Sequence, residues 1–70
     1  MDKELLYYYI KKAGKTVNEV ASELGINPKS LYNKANGKTE FSASEIRGLA
    51  KACDINGEGI IAIFFSECVE

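Results

Sequence analysis

Seventy residues, 46% apolar and 27% charged, suit a single globular domain with a modest core, and they argue against a disordered tail or a second domain. The longest apolar run, Ile60 to Phe65, falls far short of the ~18 residues that cross a bilayer, and no leader pattern follows Met1-Asp2-Lys3-Glu4, so no membrane association and a cytoplasmic address are expected. The net charge of −1 conceals a split, because Lys11 to Lys38 carries +4 and Thr39 to Glu70 carries −4, which assigns one face to an anionic partner and turns another away from it.

The chain reads as a series of helix starts. Asp2 is a candidate cap for a first helix to about Ala13, with Leu5, Leu6, Tyr9, Ile10 and Ala13 at helical spacing and Gly14 as terminator. Tyr7, Tyr8 and Tyr9 are consecutive and cannot all face the core at ~100° per residue. Tyr9, or one neighbour, is expected inside and the others outside. Thr16 with Glu19 forms a capping box for a second helix whose Val20, Ala21 and Leu24 face inward. Gly25 stops that helix and Ile26 plugs the turn. Asn27-Pro28 opens a third helix, since asparagine caps well and proline lacks the N–H that would go unpaired at the first position.

The third helix is expected to end near Ala35, with Asn36-Gly37 as the turn. A second capping box, Ser42 with Glu45, starts a fourth helix carrying Ile46, Leu49, Ala50 and Cys53 on one face. Asn56 caps a fifth helix expected through about Glu67. Nothing alternates at period two for more than a few residues, so the fold class is all-α: one domain over residues 1–70, a five-helix bundle.

Two short helices joined by a glycine turn, the second opened by Asn-Pro, meet the physical description of a helix-turn-helix over Thr16 to Lys38. Ala21 is small where the helices approach, and Ile26 and Leu31 anchor the turn. Lys29, Ser30, Asn33 and Tyr32 then lie on the outer, N-terminal part of the third helix, where base edges of double-stranded DNA are read. Tyr32 has a second option, packing over Leu31 and the first helix. Lys34 and Lys38 are candidate phosphate contacts, and the helix starts at Thr16 and Asn27 offer unpaired N–H groups that suit phosphate.

The same segment, Thr16-Val-Asn-Glu-Val-Ala-Ser-Glu-Leu-Gly-Ile-Asn-Pro-Lys-Ser-Leu-Tyr-Asn-Lys-Ala-Asn-Gly-Lys38, resembles the helix-turn-helix of the phage-repressor family (lambda repressor and Cro-like, xenobiotic-response-element). The resemblance continues through the fourth helix. It implies five helices with the third in the major groove, bases faced by Pro28, Lys29, Ser30 and Tyr32 or Asn33, and phosphate met by Asn36, Lys38 and the start of the second helix. Val17 and Pro28 stand where many relatives carry glutamine, so the contacts of those glutamines have no counterpart here. The implied function is a sequence-specific transcriptional regulator, a repressor or Cro-like protein of phage or prophage type.

The last helix holds more apolar surface than one face can bury. Ile60, Ile63 and Phe64 are expected to close the core, leaving Ile61, Phe65 and Cys68 as a homodimer interface. Cys53 reads as a small buried thiol, and a cytoplasmic address argues against a Cys53–Cys68 bridge. With no histidine, two cysteines and no glycine-rich phosphate loop, neither a metal site, a cofactor, a small-molecule ligand nor an enzyme is expected. The alternative function is a protein-interaction module on the same scaffold, such as an antitoxin or anti-repressor.

Overall fold

Each helix begins at a side chain that accepts a hydrogen bond from its own first turn. The structure, a computed structural model, describes residues 1–65; in these the chain forms α1 (Lys3–Lys12), α2 (Val17–Leu24), α3 (Pro28–Ala35), α4 (Ala43–Ala52) and α5 (Gly57–Phe64), with no strand among the described residues. Asp2 Oδ1 accepts from Leu5 N–H at 3.1 Å, Asn27 Oδ1 from Ser30 N–H at 2.8 Å and Asn56 Oδ1 from Gly59 N–H at 2.7 Å. Both capping boxes form. The Thr16 hydroxyl accepts from Glu19 N–H while Glu19 accepts from Thr16 N–H, and Ser42 and Glu45 repeat the exchange. Each such cap stabilises its helix by about 1 kcal/mol, which matters for helices of eight to ten residues that are marginal alone.

The corner between α2 and α3 recurs between α4 and α5. Gly25 turns the chain at φ +75°, the Ile26 N–H donates to the Ala21 carbonyl at 3.0 Å, and Asn27 caps α3. Asp54 turns the chain at φ +53°, the Ile55 N–H donates to the Ala50 carbonyl at 2.9 Å, and Asn56 caps α5. Both bonds are the wide loop that satisfies an orphan carbonyl at a helix end. Asp54 is the one non-glycine residue at positive φ among the described residues. That conformation strains a residue bearing Cβ by about 1 kcal/mol or more. Asp54→Gly, at an exposed position, is therefore expected to raise the unfolding free energy by about 0.5–1 kcal/mol after glycine's greater freedom in the unfolded chain is counted. Urea denaturation checks it; a lower midpoint would mean that the aspartate side chain contributes more than its backbone costs.

The core draws one fully buried large side chain from every helix: Leu6, Val20, Leu31, Leu49 and Ile63. Ile10, Ala21, Ala35, Cys53 and Ile55 complete it. α2 is the hub, packed against α1, α3 and α4, while α1 also meets α5. At Gly48 the helices α2 and α4 come so close that a Cβ would lie 2.5 Å from Leu24 Cδ2. The first and last helices are clasped by the Asp2 N–H donating to the Ile63 carbonyl at 2.7 Å. No helix of the described residues is long and apolar enough to cross a membrane.

Two expectations are corrected. α5 ends at Phe64 rather than Glu67, because Phe65 leaves the helical basin at φ −122°, ψ 25°. No tyrosine of the triplet is fully buried: Tyr8 is exposed, and Tyr7 and Tyr9 are both half-buried on opposite flanks of α1, Tyr7 against Tyr32 and Tyr9 with its hydroxyl over Gly59. Ile63 is fully buried on α5 beside Gly59, and the half-buried Ile60 and Phe64 pack against the core, as expected. Cys53 is a buried free thiol whose pKa is pushed up by burial, which disfavours the thiolate. Cys68, the other cysteine, lies outside the described residues.

Candidate functional site

Leu31 and Ala35 point α3 into the core, and their burial fixes which side of that helix faces out. Lys29 and Tyr32 are exposed, and Ser30 and Asn33 half-buried on the same helix. Among the described residues, no acidic side chain bonds to any of these four. The edge thus keeps a cation, a hydroxyl and a carboxamide accessible on a helix held from behind. Pro28 contributes no N–H, and Asn27 Oδ1 takes the N–H of Ser30, so Lys29 supplies the remaining backbone donor of the first turn.

Tyr32 packs against the first helix and still keeps an accessible face. Its ring centroid lies 6.4 Å from that of Tyr7, tilted by 52°, yet the residue stays 45% exposed. Burial, and behind it the neighbouring Tyr32, raise the Tyr7 phenol above its ordinary value. The Tyr7 hydroxyl therefore stays a protonated donor at neutral pH.

The candidate phosphate contacts divide. Lys38 is exposed on the turn after α3, where its N–H donates to the Asn33 carbonyl at 2.9 Å. Asn36 caps α3 at its C-terminal end, and its Oδ1 accepts from the Lys3 ammonium at 3.1 Å, leaving its NH2 group to donate outward. Thr16 accepts from Glu19 and keeps its hydroxyl proton for a further acceptor. Lys34 is committed elsewhere. Its ammonium lies 3.3 Å from the Glu45 carboxylate and donates to the Glu40 carbonyl at 3.2 Å, which ties the end of α3 to the start of α4. The Glu45 carboxyl is held below its ordinary value, first by the Ser42 backbone N–H and then, against desolvation, by Lys34.

Ile61 on α5 and Phe65 just past its end remain 50% and 49% exposed. Beside them Phe41, Ile46, Phe64 and Phe65 line a groove of about 440 Å3, with the Phe41 and Phe64 rings edge to face at 5.3 Å. Cys68, the third residue expected at this interface, lies outside the described residues.

Sequence reasoning missed the ties that cross the molecule, Lys34 to Glu45 and Lys3 to Asn36, since residues 11 and 33 positions apart carry no local signal of meeting. It also passed over Lys11 and Lys15 as site residues, although both counted toward the basic segment; in the fold they flank the start of α2. Among known proteins, a family model described as helix-turn-helix matches residues 6–60 of the chain. No curated protein and no solved structure is similar enough to count as a relative.

Proposed function

The chain belongs to the lambda repressor/Cro-like helix-turn-helix family, a family of DNA-binding regulators, and from that premise we propose that it is a sequence-specific transcriptional repressor of phage or prophage type that inserts α3 into the major groove. The observation that carries this reading is the outer edge of α3: Lys29, Ser30 and Asn33 are accessible and, among the described residues, unpaired with any carboxylate, on a helix seated by Leu31. Lysine and asparagine bond guanine and adenine edges in the major groove. Lys38, Asn36, Thr16 and Asn27 form the phosphate-facing set, which fixes register without reading sequence. Lys34 joins that set only by releasing Glu45.

Titration with duplex DNA at two salt concentrations tests the proposal. A protein that neutralises several phosphates weakens steeply as salt rises. Absence of duplex binding at every salt concentration would transfer the scaffold to the interaction-module reading.

We further propose that α5 forms a homodimer interface through Ile61 and Phe65. An exposed apolar pair at the C-terminal end of α5 beside an aromatic groove supports it, and a dimer would set two copies of α3 about one DNA turn (~34 Å) apart on a palindromic site. Phe65→Asp is expected to convert a dimer to a monomer in sedimentation. A wild-type chain that sediments as a monomer both at high concentration and on DNA would remove the proposal.

A further inference from the structure

The dipeptide Asn-Gly occurs twice, at Asn36-Gly37 and at Asn56-Gly57, and the fold puts the two copies in opposite circumstances. An asparagine carboxamide before glycine is open to attack by the glycine's backbone nitrogen, because no Cβ shields that nitrogen and the glycine backbone swings freely. Asn56 is locked. Its Oδ1 accepts from the Gly59 N–H at 2.7 Å, Gly57 is the first residue of α5, and Gly59 is buried beside the Tyr9 hydroxyl. Bringing the Gly57 nitrogen onto the Asn56 carboxamide would cancel the cap and pull the first turn of α5 off the core.

Asn36 is differently placed. It ends α3, and residues 36–40 are all exposed, so the backbone that must swing belongs to an open turn rather than to a helix start. This turn is closed by the Gly37 N–H donating to the Lys34 carbonyl at 3.1 Å and the Lys38 N–H donating to the Asn33 carbonyl at 2.9 Å. Both bonds sit at a helix C-terminus in contact with water, where fraying opens them at little cost. Asn36 Oδ1 accepts from the Lys3 ammonium at 3.1 Å. That cation draws electrons toward the oxygen and steadies the negative charge that forms on it during attack at Cγ.

From this contrast we infer that Asn36 is a site of spontaneous deamidation and that Asn56 is protected. The Gly37 nitrogen bonds to Asn36 Cγ, the Cγ–Nδ2 bond breaks, and the Gly37 proton leaves with Nδ2 as ammonia. Water then opens the cyclic imide at either carbonyl, giving aspartate or isoaspartate. The sum is water consumed and ammonia released, with no change of oxidation state. The consequence rests on the reading of Asn36 as a phosphate contact. Its outward NH2 donor becomes a carboxylate, which repels phosphate, so the chain loses its hold on every duplex as it ages.

The full chain is incubated in mildly alkaline buffer, its peptides are mapped by mass, and its binding to the selected cognate duplex and to an unrelated one is followed. Wild type is expected to accumulate a more acidic form converted at Asn36, with Asn56 converting at least about fivefold more slowly, the factor its cap supplies. Lys3→Gln is expected to slow the conversion about twofold, the worth of one exposed charge contact. Asn36→Gln, whose extra methylene disfavours ring closure, is expected to stay unconverted and to keep its affinity with age. Asn36→Asp, a stable stand-in for the product, is expected to bind both duplexes about tenfold more weakly below its melting temperature, the worth of one hydrogen bond to a charged group. No conversion at Asn36, or conversion at Asn56 just as fast, overturns the inference, and a Lys3→Gln chain that converts at the wild-type rate strikes out the part given to that ammonium. Wild-type affinity in Asn36→Asp removes the consequence while the reading of α3 stands. A wild-type chain that binds no duplex overturns the DNA-binding reading, and the mass map still decides the chemistry.

Discussion

Replacing Leu31 by alanine is expected to lower the unfolding free energy by about 2–5 kcal/mol, the range for truncating a leucine in a packed core. Leu31 is fully buried and is the one large side chain that α3 sends inward. A chain of 70 residues has about 4–10 kcal/mol in all, so the variant would stand near its unfolding threshold at 37 °C. An eight-residue helix has little stability of its own; once its anchor is cut, α3 loses the orientation that presents Lys29 and Asn33. Urea denaturation followed by circular dichroism reads the first effect and duplex affinity below the melting temperature reads the second. An unchanged midpoint would show that the space left by the leucine is refilled and that α3 is held by other contacts, its Lys34–Glu45 tie foremost.

The second large effect is on discrimination. Lys29→Ala and Asn33→Ala are each expected to reduce the preference for cognate over unrelated duplex by about 1–3 kcal/mol, the worth of a well-made base contact. Lys38→Ala acts differently and weakens every duplex by a similar factor, because a phosphate is the same in all of them. The comparison needs the ratio of affinities rather than either affinity alone. Equal ratios in wild type and in both α3 variants would place the reading surface somewhere other than the outer edge of this helix.

The helix starts were legible in the sequence because caps are local chemistry. Thr16 and Glu19, Ser42 and Glu45, and Asn27 before Pro28 each settle their hydrogen bonds within four residues, and all of them form as the pattern requires. The outer edge of α3 was legible for a related reason: once Leu31 and Ala35 are assigned inward, helical geometry sends Lys29 and Asn33 elsewhere. What the sequence withheld depends on distant parts of the chain. Lys34 carries the same charge as Lys38, and only the placement of α4 tells that one ammonium is occupied and the other exposed. Tyr7 and Tyr32 meet across two helix junctions. The tyrosine triplet was misjudged because a half-buried ring satisfies neither the inside nor the outside rule. The end of α5 was placed too far along because its apolar residues continue the helical pattern past the point where the backbone departs from it.

The twin corners at Gly25 and Asp54 carry a lesson about division of labour. The same hinge chemistry, reused within one small molecule, delivers two helices of equal length to opposite employment: one polar and cationic, offered to the outside, and one apolar, half of it sealing the interior. The hinge is thus indifferent to its cargo. If α3 reads bases as proposed, exchanging its outer side chains for others would retarget the protein without disturbing the joint, provided Leu31 and Ala35 stay in place.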